Sequence, residues 1–235
     1  MKKIFFYLLL LTTLTLTAQE SYFTIYNFTV EPQETETIYR LVDDYYSKNK
    51  TEGVTVSLYE NHFNDSGNNF THSIVFSGSF DAIGNMYSGG NNDSWNLFIT
   101  KINQHIKDGF SSAMGTTIAS FGDMSTKHPV QRYILLNVED GNAFDEAYKA
   151  FNSKTNPNGR ITIMGNISAG QSPNGENRWV INGFKDFKAA IGGANKLLMT
   201  DKEKDERSKG WDEFRANTGE VKLVRTGLRV LLGQW

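Results

Sequence analysis

The residue types that most often carry chemistry are sparse in this chain of 235 residues. Cysteine is absent, so the sequence offers neither a thiol nucleophile nor a thiolate metal ligand. The four histidines, His62, His72, His105 and His128, lack the HExxH spacing of a zinc hydrolase. Neither a GxSxG nucleophile elbow nor a complete phosphate-binding loop occurs. No catalytic motif is recognisable, and the sequence therefore favours a protein without enzymatic activity.

One predicted hairpin could bring metal ligands together. Residues 54–59 and 72–76 flank an Asn-rich turn, which predicts two paired strands. If residue 60 pairs with residue 72, then Glu60, His62 and His72 share one face, because side chains alternate along a strand. Two imidazoles and a carboxylate suit Zn, Fe or Cu. A slip of one residue would separate the three, and the group would then be a polar hairpin end in solvent. No other cofactor is indicated.

The elements that must position these side chains follow an order that occurs twice. In the first half, strands are predicted at residues 22–30, 54–59, 72–76 and 116–121, and helices at residues 34–48, 80–87 and 95–106. In the second half, strands are predicted at residues 132–138, 160–167, 178–181 and 221–232, and helices at residues 143–151 and 184–198. The second helical region of the first half is interrupted at Gly89-Gly90, so both halves have the order β-α-β-β-α-β.

Short matches between the halves indicate an internal duplication. The pattern Trp95-x-x-Phe98 recurs as Trp211-x-x-Phe214, and we interpret both tryptophans as packing anchors. The matches predict a first unit over residues 19–126 and a second unit over residues 127–235. The alternative is two unrelated α+β segments that share common patterning.

The βαββαβ order is that of a ferredoxin-like unit. Two such units in one α+β chain resemble the dimeric α/β-barrel superfamily in its fused, tandem form. The resemblance implies a pseudo-dimeric α/β barrel, in which two four-stranded sheets face each other around a cavity and helices cover the outside. Relatives with this fold include cofactor-independent monooxygenases, haem-binding or haem-degrading proteins, and isomerases. A fold of this kind does not determine the activity.

A cavity between the sheets would be lined by alternate strand residues, and polar or aromatic side chains there would bind a small amphipathic ligand. The candidates for the lining are Tyr26, Tyr59, Asn137, Asn166, Arg178 and Trp179. The alternative is that these residues only pack the sheets together or face water.

The first residues have the pattern of a secretory signal peptide. Lys2 and Lys3 precede an apolar run over residues 4–11, and Ala18 ends a segment of small residues. We predict cleavage near Ala18, a signal peptide over residues 1–18, and a secreted or periplasmic protein without a membrane span or lipid anchor. Removing Lys2 and Lys3 from the 24 basic residues leaves 22 against 26 acidic residues, a formal net charge of −4. This balance does not favour binding to nucleic acid.

These observations predict an exported, soluble protein that binds a small ligand or a protein partner. One alternative is a cofactor-independent oxygenase-like or isomerase-like enzyme of the dimeric α/β-barrel type, with a pocket Tyr, His or Arg as acid or base. Another alternative is an envelope-associated interaction protein with a large apolar surface patch.

Overall fold

The computed structural model describes residues 21–64, 69–90 and 92–235. The predicted signal peptide lies outside these residues and stays a prediction. None of the helices in the described ranges is long and apolar enough to cross a membrane.

The described chain forms eight strands and six α-helices. The strands are β1 (Ser21–Val30), β2 (Val54–Phe63), β3 (His72–Gly78), β4 (Ile106–Phe121), β5 (Val130–Val138), β6 (Arg160–Ala169), β7 (Arg178–Phe184) and β8 (Val221–Gln234). The helices are α1 (Thr35–Tyr46), α2 (Phe80–Ser88), α3 (Asp93–Asn103), α4 (Gly141–Thr155), α5 (Phe187–Leu197) and α6 (Asp201–Asn217), and a 3₁₀ turn (Pro32–Glu34) precedes α1.

The strands join edge to edge into one closed barrel with the order β1-β3-β2-β8-β5-β7-β6-β4. Every neighbouring pair is antiparallel. The prediction of two tandem ferredoxin-like units is therefore wrong, and the ferredoxin-like duplication is wrong with it. Two separate sheets would leave the edges of β2, β8, β4 and β6 without hydrogen-bond partners. In the structure β2 pairs with β8 and β4 pairs with β6, so the backbone groups of these edges are hydrogen-bonded within one barrel wall.

The helices also differ from the prediction. The charge run that begins at Asp201 is typical of either a solvated helix face or a loop. It is the first part of α6, where Thr200 and Glu203 form a capping box. Strand β4 begins at Ile106, where the sequence predicts the end of a helix, and its first residues pair with β1. Ile106 therefore belongs to a strand paired with β1, although the local spacing up to this residue is that of a helix.

Alternation along the strands separates two faces of the barrel wall. On β1, Phe28 and Val30 pack with Ile38 and Val42 of α1 in an apolar core outside the wall. A second core lies under α4 and α6, and a third lies under α5. The side chains between these positions, such as Phe23, which meets Trp179 of β7 edge-on, project into the barrel interior.

Candidate functional site

A pocket of about 1090 Å³ opens on the helix side of the first-half strands. Strands β1 and β3 and the start of β4 form one wall, and α1, α2, α3 and the segments that flank them form the other. The volume lies just above the range of about 300–1,000 Å³ that is typical of pockets for drug-sized ligands. The site therefore has room for a ligand of several rings.

Aromatic side chains form most of the apolar wall. Tyr45 of α1 stacks on Phe98 of α3 with a ring-centroid distance of 4.4 Å. Trp95 of α3 meets the same tyrosine edge-on at 5.7 Å. Tyr46 contacts Phe76 of β3 at 6.0 Å. Such a wall favours flat, apolar ligands, since ring faces and edges offer large contact areas.

Helix α2 contributes a hydroxyl group that is bonded to the strand wall. The hydroxyls of Tyr26 and Tyr87 lie 2.8 Å apart, and Tyr87 donates to Thr24 Oγ1 over 2.8 Å. Ser79 caps the start of α2 by accepting from the backbone of Ala82, so the helix that carries Tyr87 has a defined beginning. The result is a chain of three hydroxyl groups that runs from Tyr26 and Tyr87 at the pocket to the buried Thr24 behind them.

Partial burial raises the pKa of Tyr87 to about 12, because the phenolate is poorly solvated at the hydroxyl end although the residue as a whole is 51% exposed. Burial also raises the pKa of Tyr46 and of Tyr45 above the usual value of a tyrosine. These phenols are therefore neutral at physiological pH. They can donate hydrogen bonds or a proton, but they are poor bases.

The described lining carries a single formal charge. Lys50 lies at the pocket, and no carboxylate or imidazole is among the described lining residues. The remaining polar groups are neutral amides and hydroxyls such as Asn49, Asn85 and Ser112. The electrostatics therefore suit a neutral or weakly anionic ligand.

A haem, which the superfamily resemblance allows, needs an axial ligand from histidine, thiolate, methionine or tyrosine. Histidine is missing from the described lining, and the chain has no cysteine. The pocket therefore does not fit a haem held by histidine or thiolate.

Of the six residues predicted to line a cavity, Tyr26 lines this pocket and the other five lie elsewhere. Tyr59 is buried inside the barrel. Asn166 accepts hydrogen bonds from the backbone and hydroxyl of Thr116, and Trp179 donates to the carbonyl of Asn166.

The other two predicted lining residues make structural contacts in the second half. Arg178 forms a bidentate ion pair with Asp145, with Nε–Oδ1 at 2.8 Å. Asn137 donates to the carbonyl of Asn174 in a loop.

The predicted metal ligands are only partly together. Glu60 lies directly opposite His72 in the β2–β3 ladder, and His62 Nε2 lies 3.4 Å from Glu60 Oε2. His72 is buried, and its Nδ1 is bonded to the hydroxyl of Thr71. Among the described residues, no group of three His, Asp or Glu side chains is arranged to hold a metal ion.

The sequence analysis missed Tyr87, Thr24 and Tyr45 and interpreted Trp95 as packing alone. Trp95 does pack against the first core, but it also lines the pocket. A usable signal was present on β1, since the alternation that puts Tyr26 on one face puts Thr24 on the same face. No comparable signal joins Tyr87 to them, because α2 is 61 residues further along the chain.

Several solved protein structures have a fold similar to that of this chain. The sequence matches no known protein family and no curated protein. A putative monooxygenase from Lactobacillus acidophilus is similar in structure, with 13% identity, a TM-score of 0.58, and coverage of 92% of this chain and 96% of that chain. An anthrone oxidase-like protein is similar with 11% identity, a TM-score of 0.55 and 92% coverage of both chains. A mutant chlorite dismutase from Candidatus Nitrospira defluvii is similar with 9% identity, a TM-score of 0.53 and 91% coverage of both chains.

These likenesses are of fold, and they extend over more than nine tenths of this chain. They correct the prediction of a protein that chiefly binds a small ligand or a partner, since the similar structures are described as a putative monooxygenase, an anthrone oxidase-like protein and a chlorite dismutase. The enzyme alternative is the better supported of the two.

Proposed function

We propose that this protein is an oxygenase-like enzyme that oxidises a small, flat, hydroxylated aromatic compound with dioxygen in the pocket between β1, β3 and helices α1 to α3. The observation that carries the proposal is the aromatic wall together with the hydroxyl chain of Tyr26, Tyr87 and Thr24. The folds of a putative monooxygenase and an anthrone oxidase-like protein support the same class of reaction.

The aromatic wall would hold the substrate by its ring faces. Tyr45 and Trp95 belong to different helices but meet at 5.7 Å, so they form one continuous apolar surface. A flat substrate lying on this surface would place its oxygen substituents toward the strand wall, where the hydroxyl chain lies. Binding and orientation are thus supplied by side chains that the folded chain already holds in place.

The hydroxyl chain would stabilise negative charge on the substrate. Each hydroxyl both donates and accepts, so rotation of the O–H bonds can reverse the chain without moving its heavy atoms: Thr24 then donates to Tyr87, Tyr87 donates to Tyr26, and Tyr26 donates to a substrate oxygen. Because its pKa is about 12, Tyr87 keeps its proton near neutral pH. A neutral donor of this kind lowers the energy of an enolate or phenolate in a partly dry site.

The reaction would insert one oxygen atom and release the other as water. In the simplest case a benzylic CH₂ group beside a phenol or carbonyl becomes a carbonyl group, and dioxygen supplies the new oxygen while the two hydrogens leave in water. The described lining offers no carboxylate or imidazole base. The substrate must therefore be acidic enough to ionise with hydrogen bonds from phenols alone.

Oxygen uptake tests the proposal. With anthrone as the probe substrate in air, we expect the wild type to consume dioxygen and Tyr87→Phe to lower kcat by about 10- to 100-fold, the range for one lost charge-assisted hydrogen bond. Tyr39→Phe is the matched control, because Tyr39 packs on Trp235 and does not line the pocket. Equal rates for Tyr87→Phe and Tyr39→Phe, or no binding of anthrone by the wild type, would contradict the proposed function.

A further inference from the structure

A row of polar side chains on the inner face of the barrel runs across three neighbouring strands. Asn61 of β2 is the partner of Arg229 of β8, and Arg229 is the partner of Gln131 of β5. The flanking residues Leu228 and Val130 belong to the core under α5, so the row between them projects to the opposite side, into the barrel. The row therefore lies on the other face of the wall from the aromatic pocket.

Arg229 is a buried cation without an anionic partner. It is 5% exposed, and both Nε and Nη2 donate to the single oxygen Gln131 Oε1, over 3.1 and 3.0 Å. The guanidinium carbon lies 3.9 Å from the ring centroid of Tyr59. Within the described residues, no carboxylate pairs with this guanidinium and its Nη1 makes no hydrogen bond.

An uncompensated buried charge is strongly unfavourable, so this arrangement calls for a counterion. Burial lowers the pKa of Arg229, as expected for a cation out of reach of an anion, yet an arginine remains protonated in proteins. The stacking on Tyr59 fixes the plane of the guanidinium. Its edge is thereby held in one orientation, which is the geometry that a planar oxyanion needs.

Asn61 supplies the second, independent observation. Its side-chain Nδ2 and Oδ1 are both buried, and neither has a hydrogen-bond partner among the residues that the structure describes. Buried amides in folded proteins are almost always hydrogen-bonded, so an orphaned pair of atoms beside an unpaired cation requires an explanation. The amide Nδ2 is a donor, and it belongs to the residue directly across the ladder from Arg229.

We propose that Arg229 and Asn61 form a buried anion site inside the barrel, which takes a small planar carboxylate such as formate. The anion would accept from the free guanidinium edge of Arg229 and from Asn61 Nδ2, while Gln131 and Tyr59 hold the guanidinium in place. The site joins β2, β8 and β5, so its occupant stabilises the seam between the two halves of the barrel. This proposal does not rest on the oxygenase function.

Thermal unfolding at constant ionic strength tests the site. Sodium formate replaces sodium gluconate, whose anion is too bulky for a site of two donors. We expect the Tm of the wild type to rise saturably, by about 3 °C when formate exceeds its Kd tenfold. A rise that is linear in formate without saturation would overturn the proposal.

Three variants make the test specific. Arg229→Gln should lose the response to formate, whereas Arg132→Gln should keep it, because Arg132 contacts the carbonyl of Ile191 in α5 on the outer face. Asn61→Asp places a carboxylate beside Arg229, so it should raise the Tm in gluconate and abolish the response to formate. If Arg229→Gln does not fold, Asn61→Asp decides alone: an unchanged formate response in that variant overturns the site.

Discussion

Tyr87 shows how one residue obtains its chemical character from partial burial of its hydroxyl end and from two hydrogen-bonded partners. Desolvation moves its pKa to about 12, and the contacts with Tyr26 and Thr24 fix where its hydroxyl lies. The same phenol on an open surface would be an ordinary tyrosine. The proposed role as a neutral donor thus depends on the walls around it, which come from β1 and α2.

His72 is the residue whose burial has the clearest consequence for stability. It is 1% exposed and stacked on Phe28 at 5.8 Å, and its Nε2 has no hydrogen-bond partner in the described part of the chain. Burial lowers its pKa from 6.5 to about 4, so the folded protein holds a neutral imidazole. Glu60 lies opposite in the ladder, but the shift comes from desolvation.

We predict that this histidine makes the fold sensitive to acid. Between about pH 6.5 and pH 4 the unfolded chain binds a proton at this position and the folded chain does not. The free energy of unfolding therefore falls as the pH decreases through that window, by about 3 kcal/mol in total. Urea unfolding of wild type and His72→Gln from pH 7 to pH 4 measures the effect.

In His72→Gln, the part of the acid dependence that comes from this residue should disappear. His62→Gln is the control, since His62 lies at the exposed end of the same hairpin. If the free energy of unfolding had the same pH dependence in His72→Gln and in the wild type, the neutral imidazole of His72 would not be the cause of the acid sensitivity.

At the scale of elements, the pocket depends on a break between two helices. Gly89 ends α2, and Asn92 caps the start of α3 by accepting from the backbone of Trp95. The chain can therefore present Tyr87 from one helix and Trp95 from the next. A continuous helix through this region would keep these side chains in one fixed helical relation and would not surround the strand wall.

Strands β4 and β6 approach each other so closely that their contact has no room for an added side chain. A Cβ atom at Gly165 of β6 would collide with the carbonyl of Thr116 in β4 and with the indole of Trp179. The absent side chain is what lets the ring lie across the strand, where it meets Phe23 edge-on at 5.2 Å.

Gly165→Ala should therefore destabilise the protein by about 3 kcal/mol, because backbone cannot move away as a flexible side chain could. Gly109→Ala in β4 is the matched control: a Cβ there would meet no atom within 4 Å, so its effect should stay within about 0.5 kcal/mol. Chemical denaturation of both variants measures the difference, and a Gly165→Ala protein as stable as Gly109→Ala would refute the close approach.

At the scale of the whole molecule, the end of the chain completes the first half. The backbone of Trp235 exchanges hydrogen bonds with that of Val56 in β2, and the indole Nε1 donates to Asp43 of α1 over 2.7 Å. Its ring also contacts Tyr46 in the first core. The last residues are thus built into the half that is most distant from them in sequence.

This closure predicts one cooperative unfolding transition for both halves. Trp235→Ala removes packing from the first core, and Phe144→Ala removes a fully buried ring from the second. Each change should lower the free energy of unfolding by about 3 kcal/mol and shift the midpoint of the same single transition. Circular dichroism and tryptophan fluorescence followed together measure it, and two separate transitions in either variant would mean that the halves unfold independently.

The sequence by itself determined the local elements, because the periods of 2 and 3.6 residues are properties of short segments. The strand at residues 22–30 and the hairpin that places Glu60 opposite His72 follow from alternation and turn chemistry. Alternation also placed Tyr26 with one face of β1. Cysteine content and motif spacing excluded thiol and zinc-hydrolase chemistry without any structure.

Only the tertiary structure decided how the strand edges pair and which side chains share a site. Asn61 meets Arg229, and Thr24 meets Tyr87, across separations that no local period records. The choice between two separate sheets and one barrel depends on whether the edges of β2, β8, β4 and β6 find partners. That choice is made by pairing between distant segments, and the period of one strand does not record which distant strand will hydrogen-bond to its edge.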